Sequence, residues 1–221
     1  MIQNHTSIYS PYPGVQVYPD IRAEQIKHKM QSREDDVADS VACLEDISTI
    51  LLEHVRDHIL VSEPATAIIP IYVMRGGMIM RAAYKHVFGD SISGLVIPHR
   101  LKLINRLHVV YGNIPIVNGN KVYFLLDIVI ATGSTMLTCL ESITNNFKAA
   151  VTREIRMMLI SPFATTAGIL AIRDRFPDVQ IHTIWFNEET NVNTGMTGIN
   201  FDAGDYAFGG ASGQRIQWEA H

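Results

Sequence analysis

The chain has 221 residues, 47% of them apolar and 18% charged, a composition that can fill a sizeable core and that excludes intrinsic disorder. That length accommodates one domain with an additional arm. A formal charge of −4 and a pI near 6.1 exclude a protein built chiefly to bind nucleic acid, because neutralising phosphates takes a basic surplus.

The first nineteen residues mix Pro11, Pro13, Gly14 and Pro19 with tyrosines, a pattern that predicts an extended arm rather than a helix or core strand. They lack the basic-then-apolar order of a signal peptide, and no apolar run approaches the ~20 residues that span a bilayer, so the expected location is the cytoplasm, with no membrane partner. Cys43 and Cys139 form no CxxC pair, which fits a reducing compartment and makes a disulfide framework or structural zinc unexpected. Residues 20–221 are expected to form a single domain, and the arm is expected to reach a neighbouring subunit of a homodimer or higher homo-oligomer.

From Ser40 to Ile59, apolar residues recur at steps of three and four and predict a long amphipathic helix, with Glu34, Asp35 and Asp36 in a preceding turn or helix start. His54 and His58 lie four apart on it; without an evident third ligand they read as solvated or helix-capping residues rather than metal ligands. Short apolar runs then follow at Ala67–Val73, Ile92–Ile97, Val122–Leu126, Ile155–Ile160 and Val179–Phe186, each predicting a strand buried on both faces. Helical patterns separate them, through Met136, Leu140, Ile143 and Phe147, and again from Phe163 to Phe176. Strands alternating with helices predict an α/β fold with a mainly parallel sheet. Arg100 to Val117, with Arg100, Lys102, Arg106 and His108 around Tyr111-Gly112-Asn113, reads as a hairpin or flap.

The strongest chemical signal is the run Val122 to Asp127, then Ile128 to Ala131, then Thr132-Gly133-Ser134-Thr135 opening the helix of Met136. Backbone N–H groups at a helix start point outward at the positive end of the dipole and receive a phosphate; Gly133 permits close approach, and the hydroxyls of Thr132, Ser134 and Thr135 add donors. A carboxylate at the strand end, Asp127, can accept hydrogen bonds from vicinal sugar hydroxyls. The loop therefore reads as a ribose 5-phosphate site. A triphosphate P-loop would need a lysine after the last glycine, and a dinucleotide fold the three-glycine turn; neither is present. Taken alone, the four-residue string is equally explained as an ordinary helix N-cap.

Asp127 to Ser134, followed by Thr135, resembles the D-P-M-L-A-T-G-G-S loop of the uracil phosphoribosyltransferase family, at the same spacing. Ile69 to Met78 resembles that family's P-I-L-R-A-G-L-G-M stretch, and Phe201 to Gly209 its G-D-A-G-D-R-x-F-G. His99-Arg100 stands in the place of a Y-R pair. The resemblance covers roughly Asp20 to Gly210 and implies a type I phosphoribosyltransferase fold, with the flap and arm added to a mainly parallel sheet flanked by helices. It implies an enzyme that moves a 5-phosphoribosyl group from phosphoribosyl pyrophosphate (PRPP) to a pyrimidine, most readily uracil, with Mg²⁺. Under it, Arg75, Arg100 and Asp202 are catalytic; Asp127, Ala131, Thr132, Gly133, Ser134 and Thr135 bind PRPP; Gly198, Ile199 and Phe201 bind the base; Asp202 and Asp205 meet the metal through water.

The departures lie on the acceptor side. Gly112 or Asn113 takes the place of the family's flap lysine, Phe201 that of a glycine, and Tyr206 that of an arginine, while residues 195–200 depart from I-V-P-G-L. Two alternatives stay open beside uracil transfer: a nucleotide-binding regulator that has lost catalysis, and an enzyme with another heterocyclic acceptor.

Overall fold

The computed structural model describes residues 8–31, 37–62, 66–101, 106–117, 119–150 and 156–187. In chain order these form β1 (Val15–Val17), α1 (Ile21–Gln31), α2 (Val37–Ser62), β2 (Ala67–Val73), a 3-10 turn (Gly76–Ile79), α3 (Met80–Phe88), β3 (Gly94–Leu101) and β4 (Arg106–Asn113). Then follow β5 (Lys121–Leu126), β6 (Val129–Ile130), α4 (Ser134–Ala150), β7 (Met157–Ile160), β8 (Phe163–Thr165), α5 (Thr166–Arg175), β9 (Gln180–Thr183) and β10 (Trp185–Asn187).

Seven strands make one sheet in the order β1-β9-β7-β5-β2-β3-β4, parallel except for the β3–β4 hairpin. Its central strands are apolar on both faces because helices cover both. Val122, Phe124 and Leu126 of β5 face α1, α2 and α3, whereas Tyr123 and Leu125 face α4 and α5. A second sheet, β10-β8-β6, is small and parallel.

The outgoing connections of two neighbouring strands diverge in this topology. β2 leads through α3 to β3 on one side, and β5 leads through α4 to β7 on the other, with the two helices on opposite faces. Adjacent strands whose outgoing connections diverge leave a crevice at their carboxyl ends. The loops after β2 and β5 face each other there.

Several expectations are corrected. Val15–Val17, expected within an extended arm, pairs in parallel with β9 as an edge strand, and Tyr9 bridges back to Val17. Val15, Val17 and Tyr18 are buried, and that burial outweighs the local Pro and Gly signals. The expected helix at Phe163 begins only at Thr166, since Phe163–Thr165 is claimed as a strand between β6 and β10. The run Val179–Phe186 breaks at Ile184, where the Pro162 carbonyl accepts from the N–H groups of both Ile184 and Trp185 and turns the chain into the second sheet. Glu34, Asp35 and Asp36 lie outside the described residues.

His54 and His58 are neither simply solvated nor caps. His54 Nε2 is 2.9 Å from Asp20, and its ring stacks on Tyr18. The Tyr18 hydroxyl in turn lies 2.8 Å from Nδ1 of the fully buried His182, and the His58 ring meets both Tyr18 and His182 edge-on.

Candidate active site

The loop after β5 is held from three directions. Asp127 N–H donates to the Ile160 carbonyl of β7, the Asp127 carboxylate accepts from Ile128 N–H at 2.8 Å, and Ile128 C=O accepts from Phe163 of β8. The chain turns at Gly133, whose φ of +75° suits glycine and whose carbonyl accepts the N–H of Leu137 in the first turn of α4. A Cβ there would also stand 2.7 Å from the Gly168 carbonyl. Thr132 is exposed, Ser134 and Thr135 half-buried, and the Thr132 and Ser134 hydroxyls are 2.8 Å apart. An anion approaching from solvent therefore meets small side chains, hydroxyls and the start of a long helix.

The loop after β2 approaches so closely that only glycines fit. A Cβ at Gly76 would lie 2.5 Å from the Asp127 carboxylate, and one at Gly77 would overlap the Leu126 carbonyl. Arg75, half-buried, directly precedes this contact, after a cis Met74–Arg75 peptide. Met74 N–H donates to Val96 of β3 at 2.8 Å, fixing the loop's other side. One carboxylate and one guanidinium-bearing loop thus converge on the crevice: the first suits sugar hydroxyls, the second a di-anion. Arg100 is exposed on the β3 arm of the hairpin, whose tip at 102–105 lies outside the described residues.

Cys139 of α4 is buried near this loop. Burial, and secondarily the charge of Asp127, pushes its thiol up to about 12, so it is not a nucleophile for this site.

The uracil phosphoribosyltransferase family matches residues 33–210, most of the chain and every segment described above for the site. The chain belongs to that family. Uracil phosphoribosyltransferases of Methanococcus maripaludis and Metallosphaera sedula are each 33% identical to it, over 104 and 105 residues. Each match takes in 47% of this chain and 42% or 45% of the relative, so it spans less than half the length of these curated relatives. That of Pyrobaculum arsenaticum is 25% identical over 64% of this chain and 65% of its own.

Among solved structures, the AQ2163 protein of Aquifex aeolicus superposes with a TM-score of 0.70 at 15% identity, covering 88% of this chain and 97% of that one. Adenine phosphoribosyltransferase of Trypanosoma brucei, in complex with AMP, pyrophosphate and ribose-5-phosphate, gives 0.56 at 11% identity, covering 83% and 87%. The fold is that of the type I phosphoribosyltransferases.

Within this uracil phosphoribosyltransferase family member, Asp127, Ala131, Thr132, Gly133, Ser134 and Thr135 form one continuous loop, and the Arg75 loop abuts it. Gly198, Ile199, Phe201, Asp202 and Asp205 lie outside the described residues. No group of three His, Cys, Asp or Glu among the described residues could hold a metal, and no described helix is long and apolar enough to cross a membrane. Thr165 and Gly168 were missed as supports of the loop because their segment reads as uninterrupted helix; the signal available was an N-cap threonine three residues before a glycine.

Proposed function

We propose that this chain transfers the 5-phosphoribosyl group of PRPP to a ring nitrogen of a pyrimidine, uracil being the favoured acceptor, giving the mononucleotide and pyrophosphate. The observation that carries the proposal is the contact between the two loops, with the Asp127 carboxylate packed against Gly76 beside Arg75. That contact supports reading Asp127 as the ribose-binding group and the neighbouring Arg75 as the pyrophosphate-binding one. The family match and the names of the curated relatives support the acceptor.

In this reading the amides and hydroxyls of residues 131–135 take the 5-phosphate, and Asp127 orients the ribose hydroxyls. As the C1′–O bond breaks, negative charge grows on the leaving pyrophosphate, and Arg75 and Arg100 stabilise it there. The β3–β4 hairpin excludes water from the cationic sugar. Gly198, Ile199 and Phe201 are assigned to the base. Mg²⁺, when bound, neutralises pyrophosphate oxygens. Among the described residues the half-buried carboxylate of Asp127 faces the crevice, a donor set that fits an ion which keeps most of its waters and is commonly carried by substrate phosphates; Asp202 and Asp205 would meet it through water. The proposal extends to a homodimer or higher homo-oligomer, supported by the exposed apolar Val110 and Tyr111 on the outermost strand β4.

A screen of nucleobases with PRPP and Mg²⁺, following pyrophosphate release, tests this reading. Release with uracil supports it. Release only with another base replaces the acceptor. Tight nucleotide binding without release favours the regulator, which the Gly112-Asn113 replacement of the flap lysine would suit.

A further inference from the structure

We infer that Thr165 is a positioning residue for the phosphate loop, setting the direction of its amides from beneath; the inference rests on reading that loop as the 5-phosphate site. Thr165 belongs to none of the segments that carry the family resemblance. It is fully buried and caps α5, its hydroxyl oxygen accepting from Gly168 N–H at 3.0 Å. A cap requires nothing more. Yet the same hydroxyl donates its proton to the Ala131 carbonyl at 2.5 Å, 34 residues away in the chain and inside the loop.

That second bond has a directional consequence. A trans peptide points its C=O and N–H in opposite directions. With the Ala131 carbonyl turned inward onto Thr165, the Thr132 N–H is turned outward, on the side where Thr132 meets solvent. Gly168 makes the approach feasible, since a Cβ there would overlap the Ala131 carbonyl and stand 2.9 Å from Ile130 Cγ2. The Gly168 carbonyl lies directly under Gly133. The first turn of α5 is thus a mould pressed against residues 130–133, and Thr165 at its start supplies a side-chain hydrogen bond to them.

Calorimetric titration of ribose 5-phosphate and, separately, of pyrophosphate into wild type, Thr165→Val and Thr165→Ser tests this. Losing one neutral hydrogen bond corresponds to roughly three- to tenfold in affinity. The valine variant should lose that factor for ribose 5-phosphate and stay within about twofold for pyrophosphate, whereas serine, which keeps the hydroxyl, should restore binding. Equal losses for both ligands would mean that Thr165 only stabilises the fold, and unchanged ribose 5-phosphate binding would remove its link to the loop; either result overturns the inference. Wild type that fails to bind ribose 5-phosphate overturns the functional reading itself, a distinct result. Should the valine variant not fold, Gly168→Ala pushes the same carbonyl aside and is held to the same two criteria.

Discussion

Two polar regions sit at the carboxyl edge of one sheet and have opposite fates. At the ends of β2 and β5, glycines 76, 77 and 133 let backbones close to contact distance, and what projects outward is small: hydroxyls, a carboxylate and a helix start. At the ends of β1 and β9, four rings fill the equivalent space. Tyr18 lies between His54 and His182, its centroid 5.4 and 5.8 Å from theirs, with His58 edge-on to Tyr18 and His182. The difference teaches that polar residues at strand ends do not by themselves make a site. The site proposed between β2 and β5 is marked instead by missing side-chain volume where two connections diverge.

Gly133→Ala should break the open region hardest. It combines left-handed strain of ~1–2 kcal/mol with overpacking of ~1–3 kcal/mol against the Gly168 carbonyl, so a loss near 3 kcal/mol is expected in denaturant titration. A loss under about 1 kcal/mol would show that the loop yields easily and is no rigid cradle.

The closed region should instead respond to acid. Burial, and secondarily His58, lowers the pKa of His182 from 6.5 to about 3, so the folded state keeps its ring neutral where the unfolded chain takes up a proton. Stability is therefore full above pH 6.5 and falls as pH drops through 6.5 toward 3, by up to ~1.4 kcal/mol per pH unit. At Asp20, burial alone would raise the carboxyl, but hydrogen bonds from Arg22 and His54 outweigh it and hold it at about 2, which adds a further loss below pH 3.8. Urea midpoints between pH 8 and 4 measure the first effect; a flat profile would contradict a sealed, neutral His182.

Tyr18→Phe removes the hydroxyl partner of the buried His182 Nδ1 and should cost about 1–3 kcal/mol, the range for an unsatisfied buried group. The smallest effect is expected at exposed Thr132. Thr132→Ala should change thermal stability by under ~0.5 kcal/mol while weakening phosphate binding measurably, which separates the open region's ligand role from its folding role.

How much of this was legible follows from the same physics. β2 and the α4 face announced themselves because a doubly covered strand must be continuously apolar and a packed helix must repeat at three and four. The loop proposed to take the phosphate stood out in the sequence because hydroxyls and a glycine cluster at a helix start, where an anion would need N–H groups. Val15–Val17 was not, since three residues between Gly14 and Pro19 carry no pattern and become a strand only when β9 pairs with them. α1 was missed because few of its residues, among them Ala23 and Met30, are buried. The closed region was invisible for a related reason: Tyr18, His54 and His182 are far apart in sequence, and only the sheet order brings them together. The role of Thr165 was hidden likewise, because its partner is the backbone of Ala131, which no side-chain pattern reveals.

The central claim is that the crevice between β2 and β5 holds PRPP through Asp127, and calorimetry of PRPP with wild type and Asp127→Asn tests it most directly. Asparagine can still accept from Ile128 N–H, so the fold should survive with an unchanged melting temperature. Losing the charge-assisted contact to the ribose should cost about 1.5–3 kcal/mol, a ten- to hundredfold weaker affinity. Equal PRPP affinity in the two proteins, or none in either, would contradict the account.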